Sequence, residues 1–443
     1  MGTVPGSVAV HEGGAAGMVI AVIGAGYVGL VQAAGLVRLG HRVRVGERDP
    51  ARLGALRAGK SPIYEPGLDS LLSEGMANRR LSFHASNREA VRGVGVVFMA
   101  LPTPSAPDGS VDTRILHDAV ASLAGTLERG AVLAVKSTVP VGTARRLASL
   151  PAISDRGVRV VSNPEFLREG SAVHDFLNPD RIVIGTADPH AIEILGSHVY
   201  RGLTGDLVVT DPASAEMIKY AANSYLATRL GFANSIANLC EAVGADAAEV
   251  LGGMGRDHRI GPHYLQPGPG YGGSCLPKDT RALLSIADRS GYDFVLLRAA
   301  MEVNDLQRRR IVEKVESAAG GSLQGSVIGL WGLAFKADTD DTRESPAVDL
   351  AARLLAGGAI VQAYDPKVNA PISGVRPAVD AVSAASGADV LLVATEWKEF
   401  REVDLSEVRG VMRGSAVVDA RNLLDPGVVE AHGLAYVGVG TVR

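Results

Sequence analysis

One cysteine of this sequence stands among neighbours that favour a reactive thiol. Cys275 lies in the segment Gly272–Asp279, whose letters are GGSCLPKD. The glycines leave room for close approach on one side, and Pro277 is typical of the first turn of a helix. A thiol at a helix N-terminus beside Lys278 is expected to have a lowered pKa and to act as a thiolate nucleophile. Cys240, in an apolar stretch, is instead predicted to be an ordinary buried side chain.

Three glycines near the start of the chain have the spacing of a dinucleotide site. A short β-branched strand from Met18 leads into Gly24, Gly26 and Gly29, and a helical pattern follows. In this spacing the first glycine makes a tight turn, the second lets the backbone approach a pyrophosphate, and the third packs helix against strand. Glu47 ends the next predicted strand. Because a carboxylate there accepts from ribose hydroxyls and repels a 2′-phosphate, the pattern favours NAD over NADP.

Several basic residues are candidates for phosphate contacts, because guanidinium groups bind phosphate bidentately and ammonium groups bind it as point charges. Arg52 is a candidate to reach back to the phosphates or adenine of the dinucleotide. Arg48, next to Glu47, is an alternative candidate that would allow some binding of NADP. Farther along the chain, Lys336, Arg343 and Arg259 are candidates for the phosphates of a second ligand.

Two pairs of polar residues have four-residue spacing, which on a helix places both members of a pair on one face. Lys219 and Asn223 lie in an otherwise apolar-periodic helix. Glu165 and Glu169 follow a predicted strand, and one of them is a candidate general base while the other is structural or orients water. For Lys219 and Asn223 the spacing alone is equally compatible with a solvated surface, and for an acidic pair such as Glu165 and Glu169 a solvated face is the more usual interpretation.

The elements that must position these residues predict an α/β fold. We expect two Rossmann-like doubly wound lobes joined by a long central helix and a helical middle domain. The long helix is predicted to begin after Asp211-Pro212 and to end near Val243. The predicted strands are Met18–Ile23, His41–Val45, Val94–Ala100, Ala131–Lys136, Val158–Val161, Arg181–Ile184, Ser326–Trp331, Ile360–Ala363, Ala388–Ala394 and Ala416–Asp419.

This pattern divides the chain into four predicted segments. Residues 1–17 are expected to be a disordered extension, and residues 18–208 a dinucleotide-binding Rossmann-like domain. Residues 209–318 are expected to form the central helical domain, and residues 319–443 a second Rossmann-like domain with a longer, charged first loop. A length of 443 residues agrees with more than one domain.

Composition excludes several classes of protein. The net charge of −4 provides no basic surplus for a nucleic acid, so no nucleic-acid partner is expected. Hydrophobic residues make up 47% and charged residues 21% of the chain, as in ordinary globular proteins. No apolar run is long enough to cross a membrane, and Met1–Gly17 lacks the features of a signal peptide. Because the chain has only two cysteines, we expect no disulfide framework. We expect a cytoplasmic location, and the sequence predicts no metal site.

Taken together, seven motifs in order along the chain resemble the UDP-glucose/GDP-mannose dehydrogenase family. The resemblance extends from about Met18 to the end of the chain. It implies an NAD-binding lobe, a helical middle that forms a homodimer, and a last lobe that binds the UDP-sugar. The motifs are Gly24–Gly29, Tyr64–Leu68, Thr103-Pro104, Ser137–Pro140, Asn163–Leu167, Gly272–Asp279 and Thr339–Pro346.

The resemblance implies a catalytic role for six residues. Cys275 would be the covalent nucleophile, and Asp279 with Thr138 would hold and activate the water or hydroxyl group. Lys219 and Asn223 would stabilise the developing oxyanion or move its proton. The sixth residue, Glu165, would act in hydrolysis of a thioester.

The resemblance also implies two sets of binding residues. Arg259 would reach the substrate of the neighbouring subunit, and Glu169 would support Glu165. The cofactor set is Gly24, Gly26, Tyr27, Val28, Gly29, Glu47, Arg52, Thr103, Thr138, Glu169, Lys278 and Arg343. The substrate set is Glu165, Phe166, Leu167, Lys219, Asn223, Arg259, Tyr264, Gly272 and Lys336.

The implied reaction oxidises the C6 alcohol of a nucleotide sugar to a carboxylate and consumes two NAD. An aldehyde is captured by Cys275 as a thiohemiacetal, oxidised to a thioester and hydrolysed. Arg259–Gly261 and Thr395–Phe400 favour UDP-glucose, with GDP-mannose and UDP-N-acetylmannosamine left open. A single-hydride dehydrogenase of a 2-hydroxy acid would not need the cysteine. A non-catalytic sensor would not need a nucleophile at all.

Overall fold

The computed structural model describes residues 17–441, which form two compact units. The first unit comprises Val111–Lys219 together with the described residues up to Pro104. The second comprises Ser105–Ser110 and the chain from Tyr220 onward. Apart from Gly17, the predicted extension 1–17 lies outside the described residues. The domain borders expected from the sequence stay predictions.

The first unit is built on one sheet. Its strands cross the sheet in the order third, second, first, fourth, fifth, sixth, seventh, eighth, which begins with the Rossmann order. The first strand, VIAVI, is buried at four of its five positions, as expected for a parallel strand covered on both faces. The strands are β1 (Val19–Ile23), β2 (Arg42–Gly46), β3 (Leu81–His84), β4 (Val96–Met99), β5 (Val132–Val135), β6 (Arg159–Ser162), β7 (Arg181–Gly185) and β8 (Asp206–Thr210).

The parallel alternation is interrupted once in this sheet. β6 and β7 pair antiparallel through Ser162 and Gly185. β7 starts at the same end of the strands at which β6 finishes, so the two strands have opposite directions. β7 and β8 are again parallel to each other. The sequence analysis missed β3 and β8, which lie at the two edges of the sheet. β8 has the sequence DLVVT and exposes its apolar Leu207 and Val209, so its apolar side chains do not mark a buried strand.

Helices cover both faces of the first sheet. Ile20 and Val22 pack into one apolar cluster, whereas Ala21 and Ile23 pack into another, because successive side chains of a strand point to opposite faces. A π-helical turn, Ile194–Val199, follows the last of these helices. The helices are α1 (Tyr27–Arg38), α2 (Pro50–Arg57), α3 (Leu68–Ala77), α4 (Asn87–Val91), α5 (Arg114–Leu123), α6 (Thr143–Ala148), α7 (Pro151–Ser154), α8 (Ala172–Leu177) and α9 (Pro189–Glu193).

The long central helix, α10, extends over Pro212–Val243 and confirms the predicted bounds. Asp211 starts it, since its Oδ1 accepts from the backbone N–H groups of Ala213 and Ser214 at 2.9 and 3.1 Å. Its residues up to Lys219 belong to the first unit and the rest to the second. Although α10 has 32 residues, neither it nor another helix between residues 17 and 441 is long and apolar enough to cross a membrane.

The second unit combines helices with a six-stranded parallel sheet. The remaining helices are α11 (Ala247–Gly255), α12 (Leu276–Arg289), α13 (Val295–Ala318), α14 (Pro346–Ala356), α15 (Ala381–Ala385), α16 (Lys398–Glu402), α17 (Leu405–Val411) and α18 (Pro426–Ala431). The strands are β9 (Val327–Trp331), β10 (Ile360–Tyr364), β11 (Arg376–Pro377), β12 (Val390–Val393), β13 (Ala416–Asp419) and β14 (Ala435–Val437). Their order, β11-β10-β9-β12-β13-β14, repeats the Rossmann order of the first sheet. The predicted second lobe is therefore confirmed.

Candidate active site

In the glycine turn after β1, two of the three glycines are required by packing and the third is not. Gly24 has φ +103°, and a Cβ there would lie 2.4 Å from the carbonyl oxygen of Ala100. A Cβ on Gly29 would lie 1.9 Å from the carbonyl oxygen of Gly24. A Cβ on Gly26 would meet nothing within 4 Å, and its φ is an ordinary −81°. The protein interior therefore does not require glycine at this position, which fits close approach by a ligand.

The start of α1 is suited to an anion. Its N-cap is Gly26, which supplies no capping side chain for the first N–H groups of the helix. Unsatisfied N–H groups and the helix dipole together favour a phosphate at this end. These observations fit the pyrophosphate of a dinucleotide, and the residues that would hold it are those of the turn, Gly24–Gly29.

Glu47 follows β2 and lies beside this turn. Its Oε2 accepts from the backbone N–H of Ala25 at 3.3 Å, and its Oε1 accepts from that of Asp49 at 2.8 Å. The Arg52 guanidinium also donates to Oε2, at 3.3 Å, while its own side chain stays 44% exposed. The structure thus places Arg52 on the acid. Its expected contact with a cofactor phosphate or with adenine stays a prediction.

Tyr27, a predicted cofactor contact, forms part of a buried cluster. Its hydroxyl group donates to Glu65, which also accepts from the backbone N–H groups of Gly170 and Ala172, each at 2.7 Å. Burial and the neighbouring Glu65 carboxylate raise the pKa of Tyr27, and the charge of Glu169 adds to this effect. Glu169 therefore lies near the start of α1. The sequence analysis missed the role of Glu65, although it quoted the motif that contains it.

Glu165 and Lys219 form a buried ion pair in the first unit. The Lys219 ammonium donates to Glu165 Oε1 at 2.9 Å, and the backbone N–H of Leu167 donates to Oε2 at 2.6 Å. Burial alone would raise the pKa of Glu165, but the Lys219 charge and these hydrogen bonds outweigh it, so the pKa is lowered. Both side chains are at least nine-tenths buried, which excludes the solvated-surface alternative for them. Glu169 is buried as well.

A second buried lysine, Lys136, lies close to this pair. Its ammonium is 3.5 Å from the carbonyl oxygen of Pro164 and 5.6 Å from the ring centre of Tyr200. Burial lowers the pKa of Lys136 to about 7, with the Glu165 charge opposing this shift and the Lys219 charge adding to it. The sequence analysis missed Lys136 because its motif begins one residue later, at Ser137, and a lysine at a strand end is usually solvated.

A cavity of about 130 Å³ opens beside these charges. The predicted substrate residues Glu165, Phe166 and Leu167 line it together with Lys136. The Arg181 guanidinium stacks on the Phe166 ring, with 3.7 Å between its carbon and the ring centre, which orients that ring. The cavity can therefore present both the Glu165 carboxylate and the Lys136 ammonium group to a polar ligand.

In the second unit, Cys275 lies at the N-terminal cap position of α12, and Pro277 lies in its first turn. Asp279 is buried in that turn and accepts from Lys278 Nζ at 2.5 Å and from Asn223 Nδ2 at 2.6 Å. The structure thus brings Asn223 to the helix that begins after the thiol. The predicted placement of Cys275 at a helix start is confirmed, and its role as a nucleophile stays a prediction.

The loop 332–345, between β9 and α14, contains the predicted Lys336 and Arg343. Arg343 Nη2 donates to Asp341 Oδ2 at 2.6 Å, and Lys336 Nζ is 5.9 Å from the ring centre of Phe335. A Cβ on Gly272 would lie 2.2 Å from the Glu344 carbonyl oxygen, so Gly272 is a glycine because it packs against this loop. The segment before Cys275 and the charged loop are therefore in direct contact.

The other predicted site residues have simpler surroundings. Arg259 is exposed and donates to Asp257, with 2.6 Å between Nη2 and Oδ2, so its expected contact with a neighbouring subunit stays a prediction. Tyr264 has φ +59°, which is rare for a residue with a side chain. Thr103 is buried, whereas Val28 and Thr138 are half-buried. Within residues 17–441, no group of three or more His, Cys, Asp or Glu is arranged to hold a metal ion.

Fold and site together define a class of protein, an α/β dehydrogenase with a dinucleotide-binding lobe, a second Rossmann-like lobe and a cysteine at a helix start. Three sequence profiles of one family match this chain. They are the NAD binding domain at residues 18–204, the central domain at 213–306 and the UDP binding domain at 329–426. The chain belongs to the UDP-glucose/GDP-mannose dehydrogenase family.

Relatives and solved structures agree with this assignment. The UDP-glucose 6-dehydrogenase of Pseudomonas aeruginosa is 43% identical, with 96% of this chain and 98% of the relative covered. The structure of a UDP-glucose dehydrogenase from Pyrobaculum islandicum has a TM-score of 0.86 and 37% identity, covering 98% of this chain and all of that one. A UDP-D-ManNAc dehydrogenase structure from Pyrococcus horikoshii has a TM-score of 0.84 but 28% identity, covering 96% and 99%.

Proposed function

We propose that this protein oxidises the C6 hydroxyl group of UDP-glucose to a carboxylate and reduces two NAD for each sugar. The observation that carries the proposal is the cysteine at the start of α12, next to the buried Asp279 and its partners Asn223 and Lys278. A nucleophile of this kind is needed for a double oxidation but not for a single one. Similarity to the Pseudomonas and Pyrobaculum enzymes supports UDP-glucose as the sugar.

Cys275 captures the aldehyde that the first oxidation produces. Its sulfur adds to the C6 carbonyl carbon, and the carbonyl oxygen takes up a proton, which gives a thiohemiacetal. Loss of a hydride and a proton from this adduct leaves a thioester. Attack of water on the thioester then releases the carboxylate and restores the thiol. We assign Asn223 and Asp279, with Thr138, to hold the oxygen and water involved.

We assign Lys219 and Glu165 to proton transfer and to charge stabilisation. An ammonium group held in a buried site is an effective donor to an oxyanion, because little water screens it. Glu165 stays ionised because its pKa is lowered, chiefly by Lys219 acting against burial. An ionised carboxylate at neutral pH can accept a proton from the water that attacks the thioester. Glu169, which is also buried and lies four residues later, is assigned a supporting role for Glu165.

We assign Gly24–Gly29, Tyr27, Val28 and Glu47 to binding of the cofactor, with contributions from the predicted residues Arg52, Thr103, Lys278 and Arg343. Bound NAD would supply the hydride acceptor for both oxidations. The Glu47 carboxylate selects NAD over NADP, because a 2′-phosphate next to it would be repelled. In total, one alcohol, one water and two NAD⁺ give one carboxylate, two NADH and three protons.

The nucleotide sugar itself is assigned to Phe166, Leu167, Tyr264, Gly272 and Lys336. Arg259 is assigned to the sugar nucleotide of a neighbouring subunit. The exposure of Arg259 supports this, because a guanidinium that extends from the surface is available to a second chain.

Stoichiometry tests the proposed reaction directly. Purified protein is given limiting UDP-glucose and excess NAD, and the NADH formed is measured by its absorbance. Two NADH per sugar support the double oxidation of UDP-glucose. A single NADH would contradict the thioester route. If UDP-glucose gives none while GDP-mannose or UDP-N-acetylmannosamine gives two, the chemistry stands and the assigned sugar is wrong.

A matched pair of cysteine variants tests the nucleophile. Cys275→Ser is expected to stop turnover after at most one NADH per sugar, because an alkoxide is a poorer leaving group and nucleophile at neutral pH than a thiolate. Cys240→Ser is the control, since Cys240 is buried in the second unit away from the polar cluster. Full turnover by Cys275→Ser would favour a single-hydride mechanism instead.

We further propose that two copies of the chain associate through the outer face of α10. Tyr225, Phe232 and Leu239 recur at seven-residue intervals on this helix, and Val243 follows them. Their exposed fractions are between 50% and 68%, which is unusual for apolar side chains of this size. A row of this spacing suits pairing with the same row of a second helix.

Light scattering after gel filtration tests this association. Phe232→Asp is expected to shift the protein from dimer toward monomer, because it buries a charge in the proposed interface. Val379→Asp is the control, since Val379 is 85% exposed but lies outside this row. A monomeric parent protein, or a dimeric Phe232→Asp variant, would contradict the proposal.

We also propose a cytoplasmic location, because a thiolate nucleophile needs a reducing compartment to persist.

A further inference from the structure

The segment that leads to Cys275 is held by side-chain amides from two helices. The backbone N–H of Gly268 donates to Asn234 Oδ1 at 2.8 Å, and the Gly268 carbonyl oxygen accepts from Gln307 Nε2 at 2.9 Å. Asn234 belongs to α10 and Gln307 to α13, and both are almost fully buried. Asn238 of α10 donates to Gln307 Oε1 at 2.8 Å, which fixes the orientation of that amide.

Three residues later, a third amide contacts the same segment. Asn304 Oδ1 accepts from the backbone N–H of Tyr271 at 2.7 Å, and Asn304 Nδ2 donates to the Tyr271 carbonyl oxygen at 3.1 Å. One side chain therefore satisfies both backbone groups of one residue, as a neighbouring strand would. Arg308, one turn farther along α13, also donates to this carbonyl oxygen, at 2.8 Å.

The glycines of this segment fit around these amides. Gly270 has φ +97°, and a Cβ on it would lie 2.5 Å from Asn304 Oδ1. Gly273 has φ +81°, and its Cβ would lie 2.8 Å from the Phe335 ring. Irregular backbone that is buried needs a partner for every N–H and C=O group, and apolar side chains cannot provide one. The conformation from Gly268 to Gly273 thus depends on Asn304 and on the amides beside it.

We propose that Asn304 is a positioning residue for Cys275. It holds the backbone of Tyr271 so that the chain arrives at the start of α12 with the thiol at the helix terminus. This inference rests on the proposed function, because it takes Cys275 as the nucleophile. Asn304 needs no contact with substrate, and Gln307 and Asn234 act with it by holding Gly268.

Loss of the Asn304 amide should affect Cys275 more than the binding of NAD. Removing the amide displaces the thiol relative to the N-terminus of α12, which weakens thiolate formation and the addition step. Most of the residues assigned to NAD, the turn Gly24–Gly29 and Glu47 among them, lie in the first unit and outside this segment, whereas Lys278 and Arg343 lie in the second unit. Variants of Asn304 are therefore expected to lower kcat and the reactivity of Cys275 by larger factors than they raise the KM for NAD.

The experiment compares Asn304→Ala and Asn304→Asp with the parent protein. Alkylation of Cys275 by iodoacetamide is followed by mass spectrometry, with the buried Cys240 as an internal reference, and steady-state kinetics are measured with UDP-glucose and NAD. For Asn304→Ala we expect alkylation of Cys275 to slow at least about fivefold and kcat to fall at least about tenfold, since misplacement of a nucleophile by about 1 Å has effects of this size.

Asn304→Asp separates positioning from a general loss of structure. An ionised carboxylate repels the Tyr271 carbonyl oxygen, whereas a protonated carboxyl group donates to it and accepts from the N–H, as the amide does. Burial and the facing Tyr271 carbonyl oxygen raise the pKa of this carboxyl group, and the nearby Arg308 guanidinium opposes them. We expect burial to prevail, so the variant should recover kcat and Cys275 reactivity, relative to the parent, as the pH is lowered from about 8 to about 6. Asn369→Asp, at an exposed position of the same unit, should show no such recovery.

The outcomes are distinct. Unchanged alkylation and kcat in both Asn304 variants would overturn the proposal, and so would a loss in Asn304→Asp that does not depend on pH. If Asn304→Ala does not fold, the pH response of Asn304→Asp decides. If the parent protein forms no NADH from UDP-glucose, the proposed function fails, yet the alkylation of Cys275 still tests the positioning role.

Discussion

The two Rossmann-like lobes of this chain share one architecture and differ in what they do with it. In each sheet the strand order begins 3-2-1-4-5-6, counted within the lobe. Each first strand ends at a glycine with positive φ, +103° at Gly24 and +95° at Gly332. In the first lobe a helix starts at Tyr27, directly after the turn. In the second lobe the loop 332–345 separates the turn from the helix that begins at Pro346.

The acid after the second strand shows the same contrast. Glu47 accepts from two backbone N–H groups and from Arg52, whose exposed side chain can move. Asp365 is buried and accepts from four backbone N–H groups and from the indole N–H of Trp397. A carboxylate has about four lone-pair sites, so Asp365 has no capacity left for a ligand.

An acid at this position can accept from a ligand only where the fold leaves it hydrogen-bonding capacity, as it does at Glu47 and not at Asp365. In the second lobe the same position holds the loop 332–345 in place, and the loop itself carries the cationic candidates Lys336 and Arg343. Strand order alone therefore does not determine which ligand a Rossmann-like lobe binds.

The largest effect is expected at Asp365. Asp365→Ala removes the acceptor of five donors, three of them in buried hydrogen bonds. Because a buried donor left unsatisfied costs about 1–3 kcal/mol, the free energy of unfolding should fall by more than about 3 kcal/mol. Glu47→Ala is the matched variant and should lose about 1–2 kcal/mol, since fewer donors depend on it. Urea denaturation followed by circular dichroism measures both. Equal losses would show that the two acids have the same structural role.

The glycine turns provide the next test. Gly24→Ala and Gly332→Ala should each lower the free energy of unfolding by about 2–4 kcal/mol, because a side chain is disfavoured at positive φ and would overlap its neighbours. At Gly332 a Cβ would lie 2.3 Å from that of Thr395.

Gly26→Ala should leave thermal stability unchanged but weaken NAD binding at least about tenfold, since its Cβ enters the space assigned to the pyrophosphate. Calorimetric titration with NAD checks this, and tight binding by Gly26→Ala would refute the assignment.

A smaller effect is expected at Glu47 for the cofactor itself. Glu47→Gln should raise the KM for NAD about tenfold, or about 1.4 kcal/mol, because a neutral amide accepts less strongly from the ribose hydroxyls. The preference for NAD over NADP should narrow at the same time, since the repelling charge is gone. Steady-state kinetics with both cofactors measure this. Glu402→Gln, at an exposed acid of the second unit, is the control, and equal KM values in the two variants would contradict the role of Glu47.

The smallest expected effect concerns Lys136, which follows the fifth strand of its sheet where the second lobe has the buried Ala420. The pKa of Lys136 in the folded protein is about 7, below the ordinary value of a lysine. Between about pH 7 and about pH 10 the unfolded chain binds more protons there, so this lysine makes stability rise with pH. Lys136→Met should therefore be more stable than the parent protein near neutral pH, by on the order of 1 kcal/mol, and the difference should shrink toward about pH 10.

Urea denaturation at several pH values tests this expectation. Lys60→Met is the control, because Lys60 is exposed and its charge is solvated in both states. A stability difference between Lys136→Met and the parent protein that does not change with pH would show that Lys136 is not titrating in this range.

Much of the fold followed from local patterns. The first strand, the glycine turn and the two ends of α10 depend on residues within a few positions of each other, namely β-branched side chains, the Gly24–Gly29 spacing and the Asp211-Pro212 cap. The edge strands β3, β8, β11 and β14 were missed, because segments of two to five residues give too few positions to establish a period. The antiparallel junction between β6 and β7 was missed because strand direction depends on how the chain returns to the sheet.

Candidate residues of the site could be named from the sequence, but their surroundings could not. The spacing of Glu165 and Glu169 was compatible with a solvated face, whereas both are buried. Lys136 was not considered, because nothing in its sequence neighbours indicates that its ammonium is enclosed. Asp365 could not be told from Glu47, since both are acids after a second strand.

By itself, then, the sequence determined which residue types stand at a glycine turn, at a helix start and in the cysteine segment, because these signals are local. Only the tertiary structure decided which of them are buried together. Lys219 meets Glu165 across 54 residues, and Asn304 meets Tyr271 across 33. Contacts at such separations form only when whole elements pack. The Lys219 contact then keeps Glu165 ionised against the effect of burial, and the Asn304 contact holds the chain that leads to Cys275.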